Sequence, residues 1–253
     1  MMHRNLKIIL ALCLLLVLLF CTGCAEKNIP VEEAVETAAP VELEPEIVPS
    51  PEPTEEVKEL PPLPNINLNS WKFLYAGIDE GVGRYHPELS IWESQYMDSR
   101  CMEKTIEFMQ AARDAGFTVW INTGYRNFDY RLFWYEDAIY KYGNAYEAAK
   151  HVFPAGCSEH ATGLAFDITD ESRYHANYNN EYDPDVGGTE LYNWMVENCS
   201  DYGFILRYPE GHEEHYERAC ENAGHFRYVG IESARYIMEN DLCFEEFLAL
   251  YEE

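Results

Sequence analysis

Ala155-Gly156-Cys157-Ser158-Glu159-His160-Ala161-Thr162-Gly163-Leu164-Ala165-Phe166-Asp167 is the stretch whose reading decides the fold. His160 and Asp167 stand seven residues apart, which on a helix would separate them by roughly 10 Å of axial rise, too far to share ligand bonds of about 2 Å. A turn must bring them together, and Thr162-Gly163 supplies one, because glycine enters tight or left-handed backbone without a Cβ penalty. Leu164-Ala165-Phe166-Asp167-Ile168 then reads as a short, largely buried strand. The pair becomes a loop histidine beside a strand-borne carboxylate. His225, in His225-Phe226-Arg227-Tyr228 near the C-terminus, completes a set of three, read as the ligands of one zinc ion. Two nitrogens and one carboxylate oxygen leave a fourth tetrahedral position open, as catalytic zinc sites do and closed structural ones do not. Any one of these residues alone reads equally well as a hydrogen-bonded structural group; the set argues for metal.

Outward from this core, Phe117-Thr118-Val119-Trp120-Ile121-Asn122 is a β-branched and aromatic strand running into Thr123-Gly124-Tyr125-Arg126, which puts Arg126 at a strand end, where side chains line a cleft. Residues 101–115 precede it as a helix, with Met102, Ile106, Met109 and Ala112 on one side and Gly116 as the stop. Residues 71–75 read as an edge strand, followed by an irregular stretch holding Gly81, Gly83 and Pro87. A helix over 127–142 carries Phe128, Leu132, Tyr135 and Ala138 on one side, an aromatic stripe expected to pack in the core; 144–152 is a second helical piece. Residues 170–188, rich in Tyr, Asn and Asp, read as a long surface loop. Thr189 caps a helix over 190–202 that buries Leu191, Trp194 and Met195, and residues 203–208 form a strand ended by Pro209. His212-Glu213-Glu214-His215 lacks the four-residue histidine spacing of zincins, since Tyr216 occupies the required place, and is expected to be an exposed hairpin. A strand over 225–229 and helices over 231–239 and 243–251 close an α+β domain, helices flanking a small, mainly antiparallel sheet.

The 253 residues, 47% hydrophobic, suffice for one globular domain plus extensions. Residues 1–24 carry His3, Arg4 and Lys7 ahead of an apolar run and then Cys21-Thr22-Gly23-Cys24, the pattern of an export signal. The apolar run is short for a permanent span. Thr22-Gly23-Cys24 looks like a bacterial lipoprotein cleavage box with Cys24 the lipidated residue, although Cys21 stands where leucine is usual. Residues 25–69 turn to Glu, Pro, Val and Ala, a disordered acidic spacer whose prolines and like charges keep it extended. Residues 70–253 are the single domain. A net charge of −27 excludes nucleic acid as a partner, because phosphate binding needs clustered Lys and Arg, and disfavours direct docking of the domain on a bilayer.

Ser158-x-His160-x-x-Gly163-x-Ala165-x-Asp167, with Gly124-Tyr125-Arg126 before it and Gly203-Phe204-Ile205-Leu206-Arg207-Tyr208-Pro209 and His225-Phe226-Arg227-Tyr228-Val229-Gly230 after it, resembles the VanY-type D-alanyl-D-alanine carboxypeptidases, zinc peptidases of a hedgehog-like superfamily. The resemblance runs from roughly residue 71 to the C-terminus with its motifs in order. It implies zinc on His160, Asp167 and His225, stabilisation of the reacting carbonyl by Arg126, and Ser158 together with Arg126 at the substrate. The substrate it implies is the peptidoglycan stem peptide ending in D-alanine. Together with the Cys24 box, the expectation is a monomer anchored to the outer face of the cell membrane by lipid alone. The family's base is a glutamate three residues before the last zinc histidine, where this chain has Asn222. Asparagine cannot accept a proton near neutral pH. Glu221, one residue further back, is the expected base, with one extra residue absorbed at Gly224. Cys157 and Cys220 lie three and five residues before His160 and His225; segments meeting at one metal bring them near each other, and an exported domain keeps disulfides, so a Cys157–Cys220 bridge is expected, with Cys101, Cys199 and Cys243 buried or free. The rival reading is a zinc-containing wall-binding lipoprotein without turnover, the role a literal Asn222 alignment favours. A thiol hydrolase built on Cys157 and His160 has poor geometry and no orienting acid.

Overall fold

The computed structural model describes residues 59–170, 186–216 and 223–252. In chain order the elements are strands β1 (Leu89–Trp92) and β2 (Gln95–Asp98), helix α1 (Ser99–Asp114), strand β3 (Val119–Thr123), helices α2 (Phe128–Tyr142) and α3 (Ala145–Ala149), strand β4 (Ala165–Asp170), helix α4 (Glu190–Asn198), strands β5 (Phe204–Leu206) and β6 (His225–Tyr228), and helices α5 (Ile231–Asn240) and α6 (Phe244–Ala249). β3, β4, β6 and β5 form a four-stranded sheet in that order, antiparallel throughout, and β1 and β2 make a separate hairpin.

Period-two alternation gives this sheet two unlike faces. Phe166, Ile168, Phe204, Leu206, Phe226 and Tyr228 point to one side, where α1 and α4 bring Phe108, Met109, Leu191 and Met195 against them. Phe108 is the hub, its ring 5.6 Å from that of Phe204 and 5.7 Å from that of Phe226; truncating such a fully buried phenylalanine to alanine typically costs about 3–5 kcal/mol. The opposite face carries Asp167, Arg207, His225 and Arg227, with Ile205 joining Phe73, Ile237, Phe244 and Phe247 from α5 and α6 in a second core. β4 is buried along almost its whole length, so a central strand, covered on both sides, carries Asp167.

Several expectations need correcting. Residues 71–73 form a 3-10 turn instead of an edge strand, burying Phe73. The irregular stretch before α1 contains the β1–β2 hairpin, which the sequence hides because its turn places Glu93 and Ser94, not glycine or asparagine, at positive φ. The α2 stripe is only partly core: Ala138 is buried and Phe128, Leu132 and Tyr135 are half-buried, while Tyr130, Phe133, Trp134 and Tyr140, off that stripe, are exposed. The compact domain starts before residue 70, since Ile66 and Leu68 pack on the second core and the hydroxyls of Tyr236 and Tyr251 donate to the carbonyls of Pro61 and Pro64 at 2.9 and 2.7 Å. Two apolar residues among the prolines, Ile66 and Leu68, are what lets the end of the spacer adhere. The His212–His215 segment is a turn in the long connection from β5 to β6; His212 is only 14% exposed.

Candidate metal centre

The sheet register sets the centre. Asp167 in β4 is the partner of Thr123 in β3 on one side and of His225 in β6 on the other. Adjacent registered positions share a face. His160 reaches the same place from the 3-10 turn Glu159–Thr162, which Gly163 ends at φ 74°, donating its N–H to the His160 carbonyl. A Cβ at Gly163 would lie 3.1 Å from the Asp98 nitrogen, whose N–H donates to the Gly163 carbonyl, so any side chain at this turn would be both strained and crowded.

The donor atoms converge. Asp167 Oδ2 is 3.2 Å from His160 Nε2, and Asp167 Oδ1 is 2.7 Å from His225 Nδ1. Ligand atoms of the three residues all lie within 4.8 Å of one another, and all three side chains are buried. His160 Nδ1 is 2.9 Å from the Gly124 carbonyl, which can only accept; Nδ1 therefore carries the hydrogen, and the Nε2 lone pair is directed at Asp167. Burial pushes the His160 imidazole below its ordinary value, against the opposing pull of Asp167, and so keeps it neutral near pH 7. Burial would raise the Asp167 carboxyl, but His160 and His225 outweigh it and hold the group well below the usual carboxylate range. Neutral imidazole and ionised carboxylate are the states in which these groups ligate a metal. Two nitrogens and one oxygen are a zinc donor set, and the site fits that ion.

Arg126 is brought to this centre as its strand-end position suggested. Its N–H donates to the His160 carbonyl at 3.0 Å and its guanidinium to Thr123 Oγ1 at 2.7 Å. A cleft of about 470 Å³ adjoins it, lined by His86, Gln95, Tyr96, Tyr125, Arg126 and Tyr130. Gly124 belongs to the same wall, and a Cβ there would stand 2.4 Å from the Tyr96 carbonyl oxygen, so the carbonyl that orients His160 sits where only glycine fits. Ser158 is buried, its Oγ accepting from Arg131 Nη2 at 3.3 Å. Cys157 packs against Gly81, with its Sγ 3.7 Å from the Ile78 carbonyl. Glu221, Asn222, Cys220 and Cys24 lie outside the described residues, so the expected base, bridge and lipidation are not seen.

The motif reading passes over three charged residues beneath the centre. Glu159 is fully buried, and its Oε1 accepts from Arg207 Nε at 2.8 Å and Arg227 Nη1 at 2.7 Å, while Oε2 lies 3.5 Å from His225 Nε2. Burial alone would raise the Glu159 carboxyl; Arg207 and Arg227 outweigh it and hold it well below the carboxylate range. Arg207 also makes a two-pronged pair with Glu245 at 2.6 and 2.9 Å. The signal was available: Arg227 stands two residues after His225 in one strand, and strand periodicity puts both on one face.

Residues 94–231 match the family model VanY, D-alanyl-D-alanine carboxypeptidase. A D-alanyl-D-alanine carboxypeptidase of Enterococcus faecalis is 32% identical over 174 residues, covering 65% of this chain and 60% of its own. A bifunctional D-Ala-D-Ala dipeptidase and carboxypeptidase of Enterococcus gallinarum is 32% identical over 124 residues, 49% of this chain and 63% of its own. Among solved structures, the LdcB LD-carboxypeptidase superposes with a TM-score of 0.60 at 28% identity, covering 69% of this chain and 84% of that one. A VanY D,D-pentapeptidase from a VanB-type vancomycin-resistance cassette, in complex with Zn(II), does so at 0.58 and 28%, covering 71% and 99%. The chain spans 46% to 63% of the length of the curated relatives it matches. With the family model covering more than half of the chain, a span that includes His160, Asp167 and His225, the chain belongs to the VanY family of D-alanyl-D-alanine carboxypeptidases.

Proposed function

We propose that this chain is a zinc-dependent carboxypeptidase that removes the C-terminal D-alanine from peptidoglycan stem peptides. The observation that carries this reading is the convergence of His160 Nε2, Asp167 and His225 Nδ1 beside a cleft edged by Arg126. His160, Asp167 and His225 hold the ion, which when bound supplies a Lewis acid and lowers the pKa of a coordinated water toward about 7. Asp167 ionised and His160 neutral are the states in which these groups would bind the ion. Arg126, fixed through Thr123 and the His160 carbonyl, places a permanent cation at the cleft, where it offsets the negative charge growing on the scissile carbonyl oxygen. Ser158, engaged by Arg131, contributes to the substrate wall. Glu221 takes a proton from the attacking water and passes it to the amine of the departing D-alanine.

The N-terminal pattern ending at Cys24 and the acidic spacer support an extracytoplasmic domain, tethered to the membrane by lipid and reaching the wall. The reaction is tested by incubating the full-length, zinc-loaded protein with stem pentapeptide and tetrapeptide and weighing the products. Loss of one D-alanine from the pentapeptide defines D,D-action, loss of one from the tetrapeptide L,D-action, and loss of a dipeptide dipeptidase action. No cleavage of either peptide, with zinc bound, overturns the enzymatic reading in favour of a wall-binding protein.

A further inference from the structure

The His212-Glu213-Glu214-His215 turn is not taken up by the proposed chemistry, yet it does not face solvent alone. It folds against the start of α6. His212 Nδ1 is 2.7 Å from Glu246 Oε2, and His215 Nε2 is 3.3 Å from Oε1 of the same carboxylate. Cys243, completely buried, is the N-cap of α6: its Sγ accepts from the Glu246 N–H while its own N–H donates to Glu246 Oε2 at 2.8 Å. Ligand atoms of His212, Cys243 and Glu246 lie within 4.8 Å of one another. One imidazole, one thiol and one carboxylate thus converge from segments some thirty residues apart, with the His215 imidazole on the other oxygen of that carboxylate, each segment offering its donors at i and i+3. Imidazole nitrogen, thiolate sulfur and carboxylate oxygen are all ligand types that zinc takes.

Charge supports occupancy by a cation. Residues 208–217 and 236–253 contain many aspartates and glutamates and neither lysine nor arginine. Asp241 Oδ1 stands 3.9 Å from His212 Nε2 on the outer side. The turn is also prepared from within, since the Gly211 N–H donates to the Glu213 carboxylate at 3.1 Å, the His215 N–H to the His212 carbonyl at 3.0 Å, and the Tyr216 hydroxyl to the Pro209 carbonyl at 2.8 Å.

We propose that His212, Cys243 and Glu246, with His215 as fourth donor, form a second, structural site for a zinc-class divalent cation, separate from the His160–Asp167–His225 centre. The ion fastens the β5–β6 connection to α6. Cys243 binds as thiolate, its proton passing to solvent as the metal–sulfur bond forms. Glu245, the neighbour of Glu246, holds Arg207, so the same fastening steadies the ion-pair cluster under the first centre.

A thiolate distinguishes the two sites, because the first centre contains none. Full-length protein is stripped with chelator and reloaded with zinc for elemental analysis, or with cobalt(II) for absorption spectroscopy. The expected parent binds two equivalents of either metal and shows a near-ultraviolet thiolate-to-cobalt band. His160→Ala loses one equivalent and keeps the band. Cys243→Ser loses one equivalent and the band while retaining the helix cap, which serine provides at least as well as cysteine. His212→Ala does the same while leaving the Cys243 thiol and both cap hydrogen bonds between Cys243 and Glu246 in place. One equivalent in the parent with no thiolate band, or a band and second equivalent that survive both Cys243→Ser and His212→Ala, overturns the proposal.

Discussion

Replacing Glu159 by glutamine keeps the shape of the side chain and removes the one negative charge shared by two buried guanidiniums. Arg207 retains Glu245, whose side chain is 16% exposed. Arg227, fully buried, retains the carbonyls of Lys72, Leu74 and Tyr228, at 3.0, 2.8 and 3.2 Å, and the Phe244 ring at 5.1 Å, none of them an anion. It becomes a buried cation without a counter-charge, the situation that costs about 3–5 kcal/mol when one partner of a buried pair is removed. For a compact domain of residues 57–253, that corresponds to a fall of roughly 6–20 °C in melting temperature. The sign of the pH dependence follows from the depressed Glu159 carboxyl. Its stabilisation is complete above the ordinary carboxyl value of 4.5 and is lost as pH falls from there through the folded-state value. The gap between parent and Glu159→Gln should therefore be full at pH 7 and shrink in acid. Glu245→Gln is the control, expected to cost about 1 kcal/mol because Arg207 keeps Glu159 and water reaches the site. Denaturant unfolding of the metal-free proteins, followed by circular dichroism at pH 7 and pH 4, measures both. A loss below about 1 kcal/mol for Glu159→Gln at pH 7, or one that does not diminish in acid, would refute the reasoning.

His225→Ala should lose one equivalent of zinc and all measurable peptide cleavage, because two remaining ligands hold the ion poorly; elemental analysis showing undiminished zinc sinks the ligand assignment. Glu221→Gln should keep its zinc and lose about 10²–10⁴-fold in kcat, the typical worth of a positioned base, whereas Asn222→Ala should change kcat little; equal rates in both variants move the base elsewhere. Gly124→Ala should weaken zinc binding as well as stability, since the added Cβ, 2.4 Å from the Tyr96 carbonyl, displaces the carbonyl that orients His160; unchanged zinc affinity counts against that orienting role. A Cys157–Cys220 bridge predicts a 2 Da rise in intact mass on reduction of the native protein, about one hydrogen per sulfur, and an unchanged mass excludes it.

Local pattern made most of the regular elements legible, because their periodicities are imposed by burial. The α1, α4 and α5 helices and the strands around Ile121, Phe166, Ile205 and Phe226 lie within a few residues of where apolar spacing puts them. The misreadings have one physical origin. Apolar spacing reports that a face can be buried, not that anything is there to bury it. In α2 the stripe of Phe128, Leu132 and Tyr135 is only half-buried, and off it Tyr130, Phe133 and Trp134 remain at the surface in edge contact. Among the prolines of residues 60–69 the reverse holds: a polar, acidic context hides Ile66 and Leu68, whose partners lie in α5 and α6 far along the chain. The β1–β2 turn escapes for a more local reason, since Glu93 and Ser94 adopt a conformation their identities do not advertise.

The centre itself was legible because its ligands occur at motif spacing, while the groups that hold those ligands in place do not. His160, Asp167 and Arg126 could be placed by a turn, a strand and a strand end. What orients them comes from elsewhere: the Gly124 carbonyl on His160, the register of β4 between β3 and β6 on Asp167, and Glu159 beneath His225. Glu159 shows how the two layers are joined. It neighbours a ligand in sequence, yet its side chain turns away from the cleft and neutralises Arg207 and Arg227, which strand alternation places on the same sheet face as His225. A sheet face that carries two buried arginines and a ligand histidine needs a buried anion to be stable, and an anion placed there also lies 3.5 Å from the ring nitrogen of His225 that points away from Asp167. One carboxylate thus balances the charge of the fold and sets the direction in which His225 presents Nδ1, so stability and metal geometry cannot be varied independently at this position.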